Sequence, residues 1–385
     1  MSYNPTARAF YKICEKIEVG TLHFVSPQGD KITFGVGMPY AYLEIHSWKV
    51  ISAVLKRGDI GLGETYSEGL WDSHGIEALV LFALANRSVI DKLEKGSPFY
   101  RLFYLMNNYV FRRNSKLGSK RNIKAHYDVG NDFYRLWLDE SMTYSSAMYK
   151  SGDTLETAQE RKYDRLLNMV KPSSGGHILE IGCGWGGFAQ HATDAGCDLK
   201  AVTISSEQHN YAAKRLGGRA QIDLLDYREI EGKYDAIVSI EMIEAVGLKY
   251  WPDYFKTLKS RLNPGGKIAL QAIIIENDNF DDYKTKSDYI RQYTFPGGML
   301  ISPDRIESNA RNAGLKLDNI HRFGEDYAKT LREWYGRFMK SETQIRALGY
   351  DDAFVRSWQY YLQICAAAFQ HGQHCNVTHL ELSHA

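Results

Sequence analysis

The chain has 385 residues, 44% of them hydrophobic, and a formal net charge of only +1 from 47 basic and 46 acidic residues. That length accommodates two domains with full apolar cores, and the balanced charge gives no global indication of nucleic-acid binding. The five cysteines form no C-x-x-C pair, which favours a reducing, intracellular setting. No apolar run reaches the roughly 18 residues of a membrane span. We therefore expect a cytoplasmic protein whose contact with the inner membrane face is peripheral.

Residues 1–95 are predicted to form a small α+β domain. Strand-like runs at 20–24 and 31–34 accompany helical patterns at 47–56 and 77–86. The mixture of short strands and helices in one compact stretch indicates a unit separate from the rest of the chain.

Residues 96–125 form a connector of unusual composition. An aromatic and aliphatic stretch at 99–111 precedes six basic residues with no acid among them, namely Arg112, Arg113, Lys116, Lys120, Arg121 and Lys124. This combination suits an anionic membrane surface. A buried helix followed by a solvated linker explains the pattern equally well. Nucleic-acid binding is a weaker third interpretation, because no recognition module accompanies the charge.

From about residue 126 the chain alternates helix and strand patterns in the manner of a doubly wound α/β sheet. The predicted strands are 177–181, 199–203, 220–224, 234–239 and 267–275, and the predicted helices are 155–170, 207–216 and 250–262. Residues 276–300 are polar, then aromatic and glycine-rich, and are interpreted as an insertion or lid. The C-terminal histidines match no standard zinc pattern, so the C-terminus is interpreted as a frayed tail and no metal site is predicted.

Residues 179–187 are the most informative segment. They combine the end of an apolar strand, a glycine turn and the start of a helix, where backbone N–H groups are free to bind a ligand. Glu180 lies at the strand end, where a carboxylate can contact a polar ligand. The spacing E-x-G-x-G-x-G resembles the first motif of S-adenosylmethionine-dependent methyltransferases. Gly182, Gly184 and Gly187 also satisfy the dinucleotide pattern G-x-G-x-x-G, but no acid ends the second strand as a nicotinamide site requires.

Several further segments extend this resemblance over nearly the whole chain. They are residues 126–132, Tyr144 with Ser145, and residues 180–187, 203–208, 295–298 and 360–366, with 61–64 in the N-terminal domain. Together they resemble cyclopropane-fatty-acyl-phospholipid synthases and the related mycolic acid methyltransferases. The resemblance implies a class I methyltransferase fold with a seven-stranded sheet, preceded by a lipid- or membrane-associated N-terminal domain. It also implies an unsaturated phospholipid as substrate partner. The balanced charge and the lack of a recognition module argue against a nucleic-acid partner, and a homodimer is plausible because one subunit could anchor at the membrane while another reacts.

The same resemblance implies where S-adenosylmethionine binds. The matching residues lie in four separate segments. They are Tyr144 and Ser145 near the methionine end, Glu180, Gly182, Gly184 and Gly186 in the glycine loop, Thr203 and Gln208 near the ribose and adenine, and Asp226 and Tyr227 near the adenine.

Family chemistry joins the methyl group to a cis double bond of an acyl chain and leaves a carbocation, which needs exclusion of water and stabilisation by aromatic faces. A base then removes a proton. Removal from the new methyl group closes a cyclopropane ring, and removal from a neighbouring carbon leaves a methyl- or methylene-branched chain.

The proton-accepting site departs from the family pattern, in which a bicarbonate ion is held by Cys, Glu-His, His, a backbone amide and Tyr. The corresponding residues here are Ser146, Glu244 followed by Ala245, Gln271, Ile273 and Tyr327. Ser and Gln can donate hydrogen bonds to an oxyanion but cannot supply the positive charge of a protonated His. Bicarbonate binding is therefore left open, and without it Glu244 is the predicted base, oriented by Tyr327.

The changes at Ser146, Ala245 and Gln271 motivate the hypothesis of a branched product, with ring closure as the alternative. Cys365 matches a family active-site Cys, although a buried thiol in an apolar, helical stretch usually serves packing, and packing is the favoured interpretation. Two other functions stay open. One is a methyltransferase acting on another small molecule or RNA, and the other is a non-catalytic lipid-binding relative.

Overall fold

A computed structural model describes residues 5–90, 129–172, 176–372 and 374–385. The predicted connector at 96–125 and the motif residues 126–128 lie outside the described residues.

The N-terminal region contains a four-stranded sheet with the order β2-β1-β3-β4. Its strands are β1 Gly20–Val25, β2 Lys31–Val36, β3 Tyr40–Ile45 and β4 Trp71–Asp72, and its helices are α1 Pro5–Cys14, α2 Lys49–Arg57, α3 Asp59–Ser67, α4 Ile76–Ala85 and α5 Arg87–Ile90. The first strand pairs antiparallel with β2 and parallel with β3. Buried side chains such as Phe24 and Trp71 form an apolar core in this region, to which Tyr289 and Tyr360 from the rest of the chain also contribute.

The rest of the chain folds around a seven-stranded sheet with the order β10-β11-β9-β8-β5-β6-β7. Its strands are β5 His177–Ile181, β6 Asp198–Thr203, β7 Gln221–Leu224, β8 Tyr234–Ile240, β9 Leu262–Ile275, β10 Leu315–Arg322 and β11 Cys375–His384. The five strands from β5 to β9 run parallel, and β11 is antiparallel to both β9 and β10. The predicted doubly wound α/β fold is confirmed.

Helices cover this sheet, as the apolar strands of a parallel sheet require. They are α6 Asn131–Arg135, α7 Leu155–Val170, α8 Gly187–Asp194, α9 Ser206–Leu216, α10 Trp251–Arg261, α11 Asn277–Tyr283, α12 Pro303–Ala313, α13 Gly324–Lys340, α14 Glu342–Ala347 and α15 Asp352–His371. A π-helical turn at Ile290–Thr294 adds to α11 within the predicted lid. In the described part of the chain, no helix has the length and apolar character needed to cross a membrane.

The strand order places a ligand-binding crevice between β5 and β8. Chain order runs outward from β5 in one direction through β6 and β7, and in the other direction through β8 and β9. Ligands of doubly wound sheets bind at this switch point, outside the carboxyl ends of the strands. The glycine segment predicted from the sequence follows directly after β5.

The C-terminal segment departs from the sequence prediction. Residues Cys375–His384 form β11, which pairs with β9 on one side and β10 on the other, so the prediction of a frayed tail is wrong. Val377, Leu380 and Leu382 are fully buried in it. Such apolar and β-branched residues are typical of a strand, and tertiary pairing orders this segment despite its terminal position.

The N-terminal region packs against α15 and the predicted lid. The Arg356 guanidinium lies 3.9 Å from the centre of the Tyr66 ring and donates a 2.9 Å hydrogen bond to Asp72. The backbone N–H of Tyr289 donates to Asp59 at 2.9 Å. These contacts connect the N-terminal region to α15 and to the predicted lid, and other residues of both line the crevice.

Candidate active site

A cavity of about 360 Å³ opens at the carboxyl ends of β5, β6 and β8. Residues from the predicted lid, α13 and α15 complete its wall. The predicted site residues that line it are Tyr144, Ser145, Glu180, Gly182, Gly184, Thr203, Gln208, Asp226, Tyr227, Glu244, Tyr327 and Cys365. The fold therefore brings together segments that are far apart in the sequence.

The glycine loop presents backbone directly to the cavity. Gly184 has a φ of 52°, and a Cβ added there would meet no atom within 4 Å. A side chain at this position would be strained and would project into the cavity. Gly186, also predicted to bind the cofactor, lies outside the wall, and a Cβ on it would be 3.1 Å from Ala212 Cβ. Its small size serves close packing of the loop against α9.

Glu180 lies at the end of β5 and is only 2% exposed. Its Oε2 atom has no hydrogen-bond partner among the described residues. Burial raises the pKa of this carboxyl to about 8, although Lys162 opposes the shift. A buried carboxylate oxygen without a partner is costly unless a ligand supplies a donor.

Lys162 is a charged residue that the sequence analysis did not select. It is completely buried on α7, and its Nζ donates a 2.7 Å hydrogen bond to Ser145 Oγ. Burial lowers its pKa to about 7, and Glu241, Asp139 and Glu180 oppose that shift. The sequence pattern could have identified Lys162, because this residue falls on the buried face of α7, one turn from Ala158 and Leu166.

The ends of β6 and β7 supply polar side chains to the next part of the wall. Thr203 Oγ1 donates to Gln208 Oε1 at 3.1 Å. Asp226 forms a two-pronged pair with Arg228, at 2.7 Å from Nε and 2.6 Å from Nη2. Tyr227 has a buried hydroxyl without a hydrogen-bond partner among the described residues. The Asp226 carboxylate is thus held by the protein itself, while the Tyr227 hydroxyl is open to a ligand.

Glu241, at the end of β8, was missed by the sequence analysis. Both its carboxylate oxygens accept hydrogen bonds: Oε1 from the Ser146 N–H at 2.8 Å and from Gln271 Nε2 at 2.7 Å, and Oε2 from the Tyr327 hydroxyl at 3.2 Å. Burial raises the pKa of this carboxyl, and these hydrogen bonds together with Lys162 oppose the shift. The sequence feature that could have identified Glu241 is its position as the first acid after a buried parallel strand.

Glu244, the predicted base, lies beside Glu241 in the cavity wall. Its Oε1 accepts the Ile273 N–H, and its Oε2 has no partner among the described residues. Burial and then the charge of Glu241 raise its pKa to about 8. Tyr327 was predicted to orient Glu244, but its hydroxyl donates to Glu241 instead.

Ser146 and Gln271 lie behind the cavity wall rather than in it. The Ser146 hydroxyl donates to the Ala147 carbonyl at 3.0 Å. Gln271 is almost completely buried and contacts Glu241 through its amide nitrogen. Both residues therefore influence the cavity through their contacts with Glu241 and do not line it themselves.

Aromatic rings form the remaining wall around Cys365. Tyr144 and Phe295 stack with ring centres 6.3 Å apart, and Tyr361 lies 6.0 Å from Phe295. Burial raises the pKa of the Cys365 thiol well above its usual value. The thiol is therefore protonated at neutral pH and is a poor nucleophile and base.

The family model described as mycolic acid cyclopropane synthetase matches residues 114–380, more than half of the chain. The chain belongs to this family. It is 38% identical over 331 residues to the tuberculostearic acid methyltransferase UfaA1 of Mycobacterium tuberculosis, covering 82% of this chain and 77% of the relative. It is 34% identical over 319 residues to the cyclopropane-fatty-acyl-phospholipid synthase of Escherichia coli K12, covering 82% and 81%.

Solved structures agree with this assignment. The mycolic acid cyclopropane synthase CmaA1 in complex with SAH and CTAB is 26% identical, with a TM-score of 0.64 over 68% of this chain and 97% of that one. The family member described here is accordingly an S-adenosylmethionine-dependent methyltransferase.

The residues of the cavity fit S-adenosylmethionine. Glu180 offers an unpartnered carboxylate oxygen, and Gly184 leaves open space above the backbone. Ser145, Thr203, Gln208 and Tyr227 would hold the rest of the molecule from the adjoining strand ends. When bound, the cofactor supplies an electrophilic methyl group on a sulfonium ion.

Proposed function

We propose that this methyltransferase acts on a cis double bond in the acyl chain of an unsaturated phospholipid. The observation that carries the proposal is the continuity of one cavity, which joins the glycine loop to an aromatic wall and two buried carboxyl groups. An alkene is a weak nucleophile, so the reaction needs a strong methyl donor in a space without water. The named activities of the relatives support a lipid substrate.

The aromatic wall suits the carbocation that this reaction produces. The space beside the glycine loop is lined by Tyr144, Phe295 and Tyr361. The ring centres of Phe369 and Tyr327 lie 4.5 Å apart in the same wall. The faces of aromatic rings attract cations, and the attraction grows when water is excluded. The wall can therefore stabilise positive charge on the acyl chain without offering a nucleophile that would trap it.

The test uses full-length enzyme, S-adenosylmethionine and vesicles of dioleoyl phosphatidylglycerol, with proton NMR of the released fatty acids. Methylated fatty acids support the proposal. Cyclopropane protons would identify ring closure, and olefinic signals with a branch would identify the branched product that the changes at Ser146, Ala245 and Gln271 favour. Vesicles with only saturated chains are the matched control and should give no product. Cofactor binding without any lipid product would contradict the proposal.

Peripheral membrane contact is part of the same proposal, because the substrate lies in a bilayer. Val36, Met38 and Tyr40 are 91%, 77% and 57% exposed at one end of the N-terminal sheet. This apolar tip suits insertion among lipid head groups. Vesicle sedimentation of Val36→Asp/Met38→Asp should show weakened binding, whereas Leu348→Asp, on a separate exposed surface, should not. Equal vesicle binding by the wild type and both variants would show that this apolar tip does not mediate membrane contact.

A further inference from the structure

We propose that Glu241 accepts the proton in this reaction and that its carboxylate stands in place of the bicarbonate ion expected from the resemblance. The inference rests on the proposed function for the identity of the reaction. Its structural core, that the chain supplies its own oxyanion, can be tested without a lipid substrate.

Donors at the expected oxyanion position already bind Glu241, with the backbone N–H of Ser146 in place of its hydroxyl, which donates to the Ala147 carbonyl. The Tyr327 hydroxyl, the Gln271 amide nitrogen and the backbone N–H of Ser146 all donate to its two oxygens. A carboxylate and a bicarbonate ion present similar pairs of oxygens to such donors. These groups therefore surround an anion that is covalently part of the chain.

The backbone amide of Ile273, the last expected donor, is occupied as well. It donates to Glu244 Oε1, and Glu244 itself borders the same cavity. A second anion at this position would meet the negative field of Glu241 and would find the donors of Tyr327, Gln271 and Ile273 engaged, so that of the predicted contacts among the described residues Glu244 Oε2 alone has no partner. The described residues therefore do not fit bicarbonate as an additional ligand.

A directed chain of hydrogen bonds fixes Gln271 in the orientation that serves Glu241. Arg165 Nε can only donate, so His379 Nδ1, 3.2 Å away, must accept. His379 Nε2 then carries the hydrogen and donates to Gln271 Oε1 at 2.8 Å. The Gln271 amide nitrogen is thereby turned toward Glu241. Each link donates toward the carboxylate, which favours its negative form.

The backbone at Glu241 adds a geometric observation. Its φ is 48°, in the left-handed region that residues with a Cβ rarely adopt. Unusual backbone conformations of this kind cluster at functional sites, where the surrounding structure holds a side chain in one direction. Here the strained residue is also the one whose carboxylate collects the donors.

The proposed step balances without any further reactant. The π electrons of the acyl double bond would form the new carbon–carbon bond to the methyl group as the methyl–sulfur bond of the donor breaks, its electron pair staying on sulfur, and one former alkene carbon is left positive. A C–H bond then breaks, either on the new methyl group, so that its electron pair closes the ring, or on a carbon beside the positive one, so that its electron pair forms a new double bond. The proton passes to the Glu241 carboxylate and later to water.

The first test measures anion binding directly by carbon-13 NMR of labelled bicarbonate, with enzyme saturated with S-adenosylhomocysteine. Wild-type enzyme should show no saturable line broadening. Glu241→Gly removes the carboxylate and suits the positive φ, so it should free the donors and bind bicarbonate. Saturable binding by the wild type, or none by a folded Glu241→Gly, would overturn the inference even if the lipid substrate proved to be different.

The second test measures turnover in buffer freed of carbon dioxide. Wild-type activity should be independent of added bicarbonate. Glu241→Gln and Glu241→Gly should lose about 10²- to 10⁴-fold in kcat, the usual contribution of a general base, and formate should partly restore only the Gly variant. Glu244→Gln is the matched control, expected to lose less than about tenfold because an amide resembles its protonated carboxyl.

Unchanged affinity for S-adenosylhomocysteine and a normal thermal unfolding transition would show that each variant is folded. Bicarbonate-dependent turnover by the wild type would contradict the inference. So would a Glu241→Gln variant that keeps more than about a tenth of the wild-type kcat, since loss of a general base exceeds that.

Discussion

The two ends of the cavity are built in different ways, although both lie at the carboxyl ends of the same sheet. The cofactor end is centred on the glycine loop, a short continuous segment whose backbone faces the cavity, and Glu180 Oε2 is left without a partner among the described residues. The proton-accepting end brings together the side chains of Glu241, Gln271 and Tyr327 and the backbone N–H of Ser146, and both oxygens of Glu241 accept hydrogen bonds from the protein. Unpartnered polar atoms mark the place where a ligand must complete the site.

The satisfied end teaches the complementary lesson. Here donors already surround an acid of the chain, which is the basis of the proposal that Glu241 takes the place of an external ion. The proposal gives Glu180 a role in binding and Glu241 a role in chemistry, although both are glutamates at strand ends whose pKa is raised by burial. The predictions below test whether the two roles can be separated.

After the Glu241 variants, the largest effect is expected from Glu180→Ala. The loss of a charge-assisted hydrogen bond costs about 1.5 to 3 kcal/mol, which corresponds to about 10- to 100-fold in affinity. Calorimetric titration with S-adenosylhomocysteine measures it. Glu207→Ala is the matched control, because Glu207 is exposed on the first turn of α9 and lies outside the cavity wall. Equal affinities for the two variants would remove Glu180 from the cofactor site.

Cofactor binding should also release a proton from Glu180. Burial holds its pKa at about 8 in the free enzyme, so the carboxyl is mostly protonated near neutral pH. A donor from the cofactor favours the charged form and lowers that pKa. Affinity should therefore rise with pH and level off above about pH 8, by up to about tenfold per pH unit. Titration in buffers of different ionisation enthalpy measures the released proton.

Glu180→Gln separates this effect from the titration of Lys162, whose pKa of about 7 falls in the same range. The variant keeps the shape of the side chain but cannot ionise. Its cofactor affinity should lose most of the pH dependence. A pH dependence identical to that of the wild type would attribute the proton to Lys162 instead.

The contrast between the two ends also explains how far the sequence could be interpreted. Residues 177–181 and 155–170 were predicted with the bounds that β5 and α7 have, because apolar runs and local helix signals determine them. The glycine loop could also be predicted, because its conformation depends on residues that are adjacent in the sequence. The contacts of Glu241 depend on the register of β8 beside β9 and of β9 beside β11, which places Gln271 between Glu241 and His379. No local pattern specifies that register.

A smaller effect is expected from Tyr327→Phe. The change removes one of the hydrogen bonds to Glu241 and keeps the ring that packs against Phe369. Loss of a donor to the charged form raises the pKa of Glu241, so less of the base is ionised at neutral pH. A loss of about 1 kcal/mol corresponds to about a fivefold lower kcat. Because the deficit comes from protonation, it should shrink as pH rises, and a deficit that is constant with pH would indicate a structural role.

The smallest effect is expected from Cys365→Ser, at the boundary between the two ends. Burial raises the pKa of the thiol well above its usual value, so it can act as neither nucleophile nor base near neutral pH. Serine preserves the approximate size of the side chain, and we expect kcat to stay within about threefold, a loss below about 1 kcal/mol. Steady-state kinetics with the same vesicles measures the change, and thermal unfolding reports the fold. Near-complete loss of turnover in a normally folded variant would place Cys365 among the reacting groups, and the aromatic wall could then no longer be considered chemically inert toward the carbocation.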